Sequence, residues 1–464
     1  MSDGAVENSG PLNPDYQQIE VYLKHNLGRS IQELRELCVC PGTTEQGALE
    51  ARNFKVERWR LPDGSVALFA QSPYKAGLPT LLFYNHYTGP LGKKSSATKR
   101  HGYLLGQGGV AGSTFAARLL ALDSLIASSG GLPINLKWLI EGAEGTINPH
   151  LADMLNEHAA ELGAEACLWP SGSYTPDGRA IISLGSKGLL TVELRSHALS
   201  READSTLAGV LPNAAWRIAW ALNSIKGDTE EIRISGFGDE TDSDLSIPNE
   251  DISLLLGSVR DHKVRLSERL KEFGLENYLM ELRDPQVLLT EFFTPTANIS
   301  GFQAGYTGPG SKTALPATAS ARVDFRLVPN HEPNKVLELL REHLTQKDLG
   351  DVEVLPIGFP LKPARTSPTH PFARLVIESV TQTSELSPLV IPLSPEAEPM
   401  IFFKEALQDL PVVGLGVGYS ASSRGNRVRV DDFLAHAKAI ARLLGQMAAQ
   451  MAPLPLEAFS WEEN

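Results

Sequence analysis

The first 185 residues alternate apolar segments with helical ones, and this alternation limits the possible folds more than any other feature. Segment 79–89 begins as a continuous apolar run and ends in polar residues, which is typical of a strand buried in a parallel sheet. Segments 134–145 and 165–172 predict two more such strands. Segments 113–128 and 150–163, between them, have helical spacing. The region therefore predicts an α/β fold with a parallel sheet.

The pattern changes after residue 185 and predicts a small α+β domain inserted into the first. Residues 187–196 alternate as a half-exposed strand does, and we expect this strand at or near the edge of its sheet. Residues 227–260 are acidic and irregular, and only some helix is expected there. The larger pattern resumes near Pro363, with a buried strand predicted at 411–420. The predicted division is 1–185 and 363–464 for the larger domain and 186–362 for the inserted one.

Charge and composition exclude several classes of function. The chain has 42 Lys and Arg against 55 Asp and Glu, a formal charge of −13, which argues against nucleic acid as a partner. No apolar run reaches the roughly 18 residues of a membrane span, and the polar N-terminal segment does not read as a signal peptide. Three cysteines are too few for a disulfide framework. We therefore expect a cytoplasmic protein without a membrane partner.

Polar residues at the carboxyl ends of the predicted strands are the first candidates for a site, because ligands of open α/β sheets bind there. His86 ends one strand and is either a ligand-binding group or a capped core residue. Glu141 and Glu144 follow another strand, where a raised pKa would suit a general base, although acidic residues also begin helices. Arg326 lies on an apolar strand and suits bidentate carboxylate binding. Arg424 belongs to a basic loop that is either surface or site.

The order of these segments resembles the di-zinc exopeptidase family of carnosinase, acetylornithine deacetylase, succinyl-diaminopimelate desuccinylase and carboxypeptidase G. The resemblance covers about residues 16–450 and is most specific at 305–333, which reads GYTGPGSKTALPATASARVDFRLVPNHEP. It implies a zinc-peptidase-like three-layer catalytic domain with an inserted α+β lid domain that mediates dimerisation. A homodimer through the lid is therefore expected.

The family holds two zinc ions with five side chains and uses a Glu as general base. By resemblance, His86 matches the first ligand and Glu144 matches the base, but the other four ligand positions hold different residues. These four are Ala111, Gly145, Ser171 and Arg424, and Thr88 replaces a supporting Asp. One ligand of five remains.

The residues that the resemblance assigns to the substrate are partly retained. Thr313 and Arg326 match the pair that binds the substrate carboxylate, whereas the lid His has no counterpart near Ala203. The family's Gly-Gly-Ser-x-Pro loop carries Glu396 and Glu398 here.

These observations favour a pseudoenzyme that has lost di-zinc hydrolysis and binds, or acts without metal on, a small amide or peptide-like carboxylate ligand. No cofactor is then expected, and Glu144 and Glu141 are the candidate catalytic groups. In the family, two zinc ions and three ligand carboxylates leave a net charge of +1. With all of these absent, Arg424 would supply the same +1 and would either pair with Glu144 or hold an anionic group of the ligand. The alternative is an active metal-dependent hydrolase whose zinc ligands have moved, with Glu141, Glu396 or Glu398 among them. A purely structural protein is the third hypothesis, and the retained Thr313 and Arg326 argue against it.

Overall fold

A computed structural model describes residues 14–38, 40, 42–87, 97–142, 148–237, 247–418 and 427–451, with backbone only at 107–111. The helices are α1 (Tyr16–Leu37), α2 (Thr43–Glu50), α3 (Gln107–Ser129), α4 (Leu151–Glu157), α5 (Ala159–Leu162), α6 (Ala214–Ile225), α7 (Asn249–Phe273), α8 (Asp284–Phe293), α9 (Pro333–Gln346), α10 (Pro371–Thr383), α11 (Met400–Ala406) and α12 (Val430–Gln450). The strands are β1 (Lys55–Arg60), β2 (Val66–Gln71), β3 (Thr80–His86), β4 (Thr98–Arg100), β5 (Tyr103–Leu105), β6 (Asn135–Glu141), β7 (Ala166–Trp169), β8 (Ile181–Ser183), β9 (Gly185–His197), β10 (Ala203–Asp204), β11 (Thr296–Ala304), β12 (Ala314–Leu315), β13 (Thr318–Leu327), β14 (Glu353–Leu361), β15 (Ala364–Arg365), β16 (Leu389–Ile391), β17 (Ser394–Ala397), β18 (Val412–Gly414) and β19 (Arg427–Arg429).

The large sheet has the order β1-β2-β6-β3-β7-β18-β8-β16, and its central strands β6, β3, β7 and β18 run parallel. Helices α1, α3, α10 and α12 pack on one face, and α4, α5 and α11 pack on the other. The predicted α/β fold with a three-layer domain is confirmed. The strand expected at 411–420 is shorter, since only Val412–Gly414 pairs within the described part of that segment.

The inserted region contains a second sheet of order β11-β13-β9-β14, covered on one face by α6 and α9. The strand at 187–196, expected at or near a sheet edge, is the second strand from the edge, next to the edge strand β14. Strand β9 pairs with β13 on one side and with β14 on the other. Its alternation arises because one face of an internal strand lies under helices while the other face is more open.

Helices α7 and α8, here called the helical arm, pack against β8 and β16 at the edge of the large sheet rather than on the lid sheet. The helix expected within segment 227–260 begins at Asn249, where the 25-residue helix α7 starts. Asp251 in its first turn is fully buried because Arg365 donates two hydrogen bonds to its carboxylate, at 2.6 and 2.8 Å. This tertiary ion pair has no signature in the local sequence.

Three of the segments that connect the large sheet and its helical arm with the lid sheet pack together and are here called the crossing bundle: Gly185–Gly188, Thr294 and Leu361–Ala364. Lys187 Nζ donates to the Thr294 carbonyl oxygen at 2.6 Å. A Cβ at Gly188 would lie 2.4 Å from the Leu361 carbonyl oxygen, so glycine permits this close approach. Within the described ranges, no helix is long and apolar enough to cross a membrane.

Candidate functional site

His86 and Glu141 end adjacent parallel strands and are directly paired in register. Glu141 is buried and accepts hydrogen bonds from the Tyr84 hydroxyl and from Asn148 Nδ2, the latter at 2.8 Å. Burial raises the pKa of Glu141, and these two hydrogen bonds oppose the rise. Because each carboxylate oxygen already accepts one hydrogen bond, the geometry suits a residue that positions Tyr84 and Asn148.

One nitrogen of the His86 imidazole has no hydrogen-bond partner among the described residues. Its Nδ1 atom is buried and forms no hydrogen bond within the described chain. The ring meets the Tyr84 ring edge-on at a centroid distance of 5.1 Å. Burial lowers the pKa of His86 to about 4, so the imidazole is neutral near pH 7. A neutral imidazole can bind a metal ion or a hydrogen-bonding ligand.

Glu398 comes to the same region from strand β17. Its backbone carbonyl accepts a hydrogen bond from Ser186 Oγ at 3.1 Å. The residue is partly accessible, but its Oε2 atom is enclosed and has no hydrogen-bond partner within the described residues. Burial raises the pKa of Glu398 to about 8 and the charge of Glu396 adds to this, while the Ser171 and Trp169 side chains lower it in part. Glu398 therefore carries a proton at neutral pH.

Aromatic rings connect these groups into one floor. Trp169 stacks on Tyr84 with ring centroids 4.1 Å apart, and Phe403 meets both rings edge-on. Ser171, two residues after the end of β7, has its Oγ atom 3.4 Å from Ser183 Oγ. The structure thus brings together His86, Glu141, Ser171 and Glu398 of the predicted site residues.

Arg118 lies beneath this floor and was missed by the reasoning from sequence. It is fully buried in α3 and has no carboxylate partner in the described structure. Its guanidinium donates to the carbonyl oxygens of Tyr84, Leu168, Trp169 and Leu415 and to Asn85 Oδ1, at 2.8–3.4 Å. Burial lowers the pKa of Arg118 to about 9. A single arginine within the otherwise apolar run 115–122 is the signal that could have revealed it.

A cationic group lies where the lid sheet meets the large domain. Burial lowers the pKa of Lys187 to about 8, and the charge of nearby Arg326 lowers it further. Arg326 is half-buried and has no hydrogen bond or ion pair among the described residues. The neighbouring Asp324 instead accepts a hydrogen bond from Thr191 at 3.0 Å.

Thr313 is exposed and does not meet Arg326 within one chain. The Thr313 carbonyl accepts from the Ser205 amide, near the start of β13, whereas Arg326 lies near the end of that strand. The eight steps from Thr318 to Arg326 span about 26 Å of extended strand. The resemblance matched Thr313 and Arg326 to a pair that binds one substrate carboxylate. At this separation, one small carboxylate cannot contact both residues of the same chain.

The described residues do not fit a zinc site. Among them, no three His, Cys, Asp or Glu side chains cluster closely enough to hold a metal ion, and zinc needs three or four such ligands. Thr88, Glu144, Gly145 and Arg424 lie outside the described residues, as does the side chain of Ala111. The roles predicted for Glu144 as base and for Arg424 as replacement charge stay predictions.

Comparisons with known proteins agree with this architecture. The peptidase dimerisation domain of the M20 family matches residues 184–352. Cys-Gly metallodipeptidase dug1 of Schizosaccharomyces pombe is 25% identical over 217 residues, 46% of this chain and 44% of that protein. Human beta-Ala-His dipeptidase is 22% identical over 338 residues, 68% and 64% of the two chains. The matched part thus spans less than two thirds of each curated relative.

Solved structures extend the similarity over nearly the whole chain. An M20 family metallo-carboxypeptidase from Sulfolobus solfataricus superposes with a TM-score of 0.78 at 27% identity, covering 91% of this chain and 99% of that one. Human carnosine dipeptidase 1, at 17% identity, supports the fold alone, with a TM-score of 0.72 and coverage of 94% and 100%. The chain therefore carries a peptidase dimerisation domain of the M20 type at residues 184–352 and has the fold of the M20 metallopeptidase structures that it resembles.

Proposed function

We propose that this protein has lost the di-zinc hydrolysis of its relatives and binds, or acts without metal on, a small amide or peptide-like carboxylate ligand. One observation carries the proposal. Glu141 and Glu398 lie in the same region as His86, but no three described His, Cys, Asp or Glu side chains cluster closely enough to hold a metal ion. Ser171 stands at a position that the resemblance assigns to a carboxylate ligand.

The charges around the site support a carboxylate-bearing ligand. Arg326 lacks an intramolecular partner in the described structure, and an unpaired guanidinium is well suited to a carboxylate. Lys187 lies nearby and adds to the positive potential. If chemistry is retained, Tyr84 and Glu141 would position the ligand, while Glu144 remains the candidate base.

An active metal-dependent hydrolase is the second candidate, favoured by the relatives, which are named as metallodipeptidases. It requires relocated ligands such as Glu396 and Glu398. A cytoplasmic location also stays a proposal, supported by three cysteines that form no disulfide in the described structure.

Zinc content and ligand binding distinguish the two candidates. Protein purified without chelator is expected to hold far less than one equivalent of zinc by elemental analysis and to release no amino acids from dipeptides. Arg326→Ala should weaken binding of a carboxylate ligand at least tenfold, because loss of a buried charged contact costs roughly 2–5 kcal/mol. The exposed Arg322 on the same strand provides the matched control, Arg322→Ala. Two equivalents of zinc together with peptidase activity would refute the proposal in favour of the hydrolase.

The protein is also proposed to form a homodimer through its lid. The edge strand β11 exposes Ile299 and Phe302, and α6 exposes Trp216 and Trp220, whose rings stack 5.9 Å apart. Apolar side chains at an open sheet edge are usually covered. A two-fold partner would cover them, and only a second copy could bring a Thr313 toward Arg326.

Phe302→Asp is expected to convert the dimer to a monomer. Phe302 is 52% exposed, so the substitution should leave the fold intact while placing a charge in the proposed interface. Light scattering at micromolar concentration measures the change. Val21→Asp is the control, because Val21 is an exposed residue of α1 outside the lid. A monomeric wild-type protein, or a dimer that survives Phe302→Asp, contradicts this interface.

A further inference from the structure

The helical arm is held against the large sheet by an apolar cluster, and one histidine lies on the face of α7 that forms it. Leu255 and Leu266 of α7, Phe292 of α8 and Ile391 of β16 belong to this cluster. His262 lies two helical turns after the first leucine and one turn before the second, so all three share one face of α7. The ring centroids of His262 and Phe292 are 6.0 Å apart. An imidazole thus occupies a position where the pattern of the helix predicts an apolar side chain.

The His262 imidazole is fully buried, and neither of its nitrogens is satisfied. Both Nδ1 and Nε2 lack a hydrogen-bond partner among the described residues. A buried polar group without a partner is unfavourable, and a buried charge without one is far more so. The neutral ring can be accommodated in this cluster. The protonated ring would bring a charge and two N–H donors that have no acceptor.

The charges around His262 oppose its protonation. Arg265 and Arg269 follow it on α7, and Glu291 of α8 accepts hydrogen bonds from both arginines. Burial lowers the pKa of His262 to about 4, and the Arg265 charge lowers it as well. The Glu291 charge acts in the opposite direction, and the Arg269 charge adds a smaller lowering. Strands β8 and β16 of the cluster carry no titratable side chain. Protonation would place three positive charges around one carboxylate.

Two other titratable groups of the arm have partners of their own. Asp261, next to His262 in the sequence, forms an ion pair with Arg179 at 3.1 Å. The Tyr278 hydroxyl, between α7 and α8, donates to the Leu266 carbonyl oxygen at 2.8 Å, and burial raises its pKa. Neither group forms a hydrogen bond with the imidazole. No described acceptor is therefore in place for a protonated His262.

The arm covers an edge of the large sheet. Strand β16 is the last strand in the order of that sheet, and α7 packs against it through the apolar cluster. An uncovered edge strand offers unpaired backbone groups to other chains. The carbonyl of Thr294, directly after α8, accepts the hydrogen bond of Lys187 in the crossing bundle. Movement of the arm would therefore affect both the sheet edge and the crossing bundle.

We propose that His262 is a pH switch of the helical arm: protonation of its buried imidazole separates α7 and α8 from the edge strand β16 while the central sheet stays folded. The proposal does not depend on the proposed function. It assigns a role to an ionisable residue that the candidate site does not use.

The direction of the pH dependence follows from the lowered pKa of His262. A histidine released from the cluster regains its ordinary pKa of about 6.5. The stability of the closed arm is therefore complete above about pH 6.5 and decreases as the pH falls toward 4. Glu291, with a pKa of about 2, keeps its charge over this interval. The two effects thus occur in different pH ranges.

Hydrogen–deuterium exchange of the full chain at pH 7 and pH 5 tests the switch. After correction for the intrinsic exchange rate, peptides from α7 and α8 should exchange at least tenfold faster at pH 5, while β3 and β6 stay protected. His262→Phe, which keeps an aromatic ring in the cluster, should remove this difference. His25→Phe, at an exposed position of α1, is the control and should behave as wild type. Should His262→Phe not fold, His262→Leu takes its place.

Three outcomes would overturn the switch. Equal protection of the arm at both pH values in wild type would show that His262 does not control it. Faster exchange at pH 5 that persists in His262→Phe would assign the response to other groups, such as the Asp261 carboxylate. An equal rise in β3, β6 and the arm would mean global unfolding. Peptides from α12 report separately on His436, a second buried histidine without hydrogen-bond partners in the described structure.

Discussion

Arg118→Leu is expected to lower the free energy of unfolding by at least ~3 kcal/mol. The guanidinium satisfies carbonyl oxygens of Tyr84, Leu168, Trp169 and Leu415. Leucine removes five hydrogen bonds from buried acceptors, of which the Trp169 carbonyl keeps the Leu415 amide as a donor; a buried acceptor left unpaired costs about 1–3 kcal/mol. The strand ends that carry His86 and Ser171 should lose their alignment as a result.

Chemical denaturation measures the loss, with Arg374→Leu as the matched control at an exposed helical position. The control should change stability by no more than about 0.5 kcal/mol. Arg118→Lys should fall between wild type and Arg118→Leu, because one ammonium cannot reach all the acceptors that a planar guanidinium bonds. A loss below about 1 kcal/mol for Arg118→Leu would mean that the strand ends do not depend on this residue.

Glu291→Gln is expected to cost about 3 kcal/mol near neutral pH, the low end for a broken buried pair, because it leaves the buried Arg265 and the partly exposed Arg269 without their carboxylate partner. Arg265 and Arg269 each donate two hydrogen bonds to the Glu291 carboxylate, at 2.9–3.1 Å. Burial raises the pKa of Glu291, but the charges and hydrogen bonds of Arg265 and Arg269 lower it further, to about 2. Loss of the pair should loosen the helical arm.

The same pair gives a pH dependence with a defined sign. The pKa of Glu291 is depressed, so its stabilisation is complete above the ordinary glutamate pKa of about 4.3 and is lost as the pH falls toward 2. Unfolding measured from pH 7 to pH 3 should therefore show Glu291→Gln approaching wild type at acidic pH. Glu276→Gln, at an exposed position nearby, should follow wild type throughout. A constant difference between Glu291→Gln and wild type over this range would contradict the assigned ion pair.

The large sheet was predictable because continuous apolar runs such as 79–89 can be buried only in a layered α/β fold. The position of β9 within its sheet was not predictable. Alternating apolar and polar residues are expected both in an edge strand and in an internal strand with one covered face. The start of α7 depends on Arg365, which is more than a hundred residues away from Asp251. Local sequence carries no information on such a partner.

The sequence predicted which residues lie in the candidate site, but not which of their atoms form hydrogen bonds. Strand ends pointed to His86 and Glu141, and the resemblance pointed to Ser171 and Glu398. Sequence could not indicate that Glu141 is hydrogen-bonded on both oxygens while Glu398 has an oxygen with no described partner. That difference depends on Tyr84 and on chain packing around β17.

The crossing bundle gives the molecule a narrow mechanical pivot. Because Gly188 and Thr294 pack together with Leu361, a rotation of the lid would bend the chain at these three crossings, close to Lys187. A strand about 26 Å long acts as a lever, so a 5° turn at the pivot displaces its far end by about 2 Å. A molecule that binds beside the pivot and rotates the lid would thus displace the other end of the lid, where Thr313 lies.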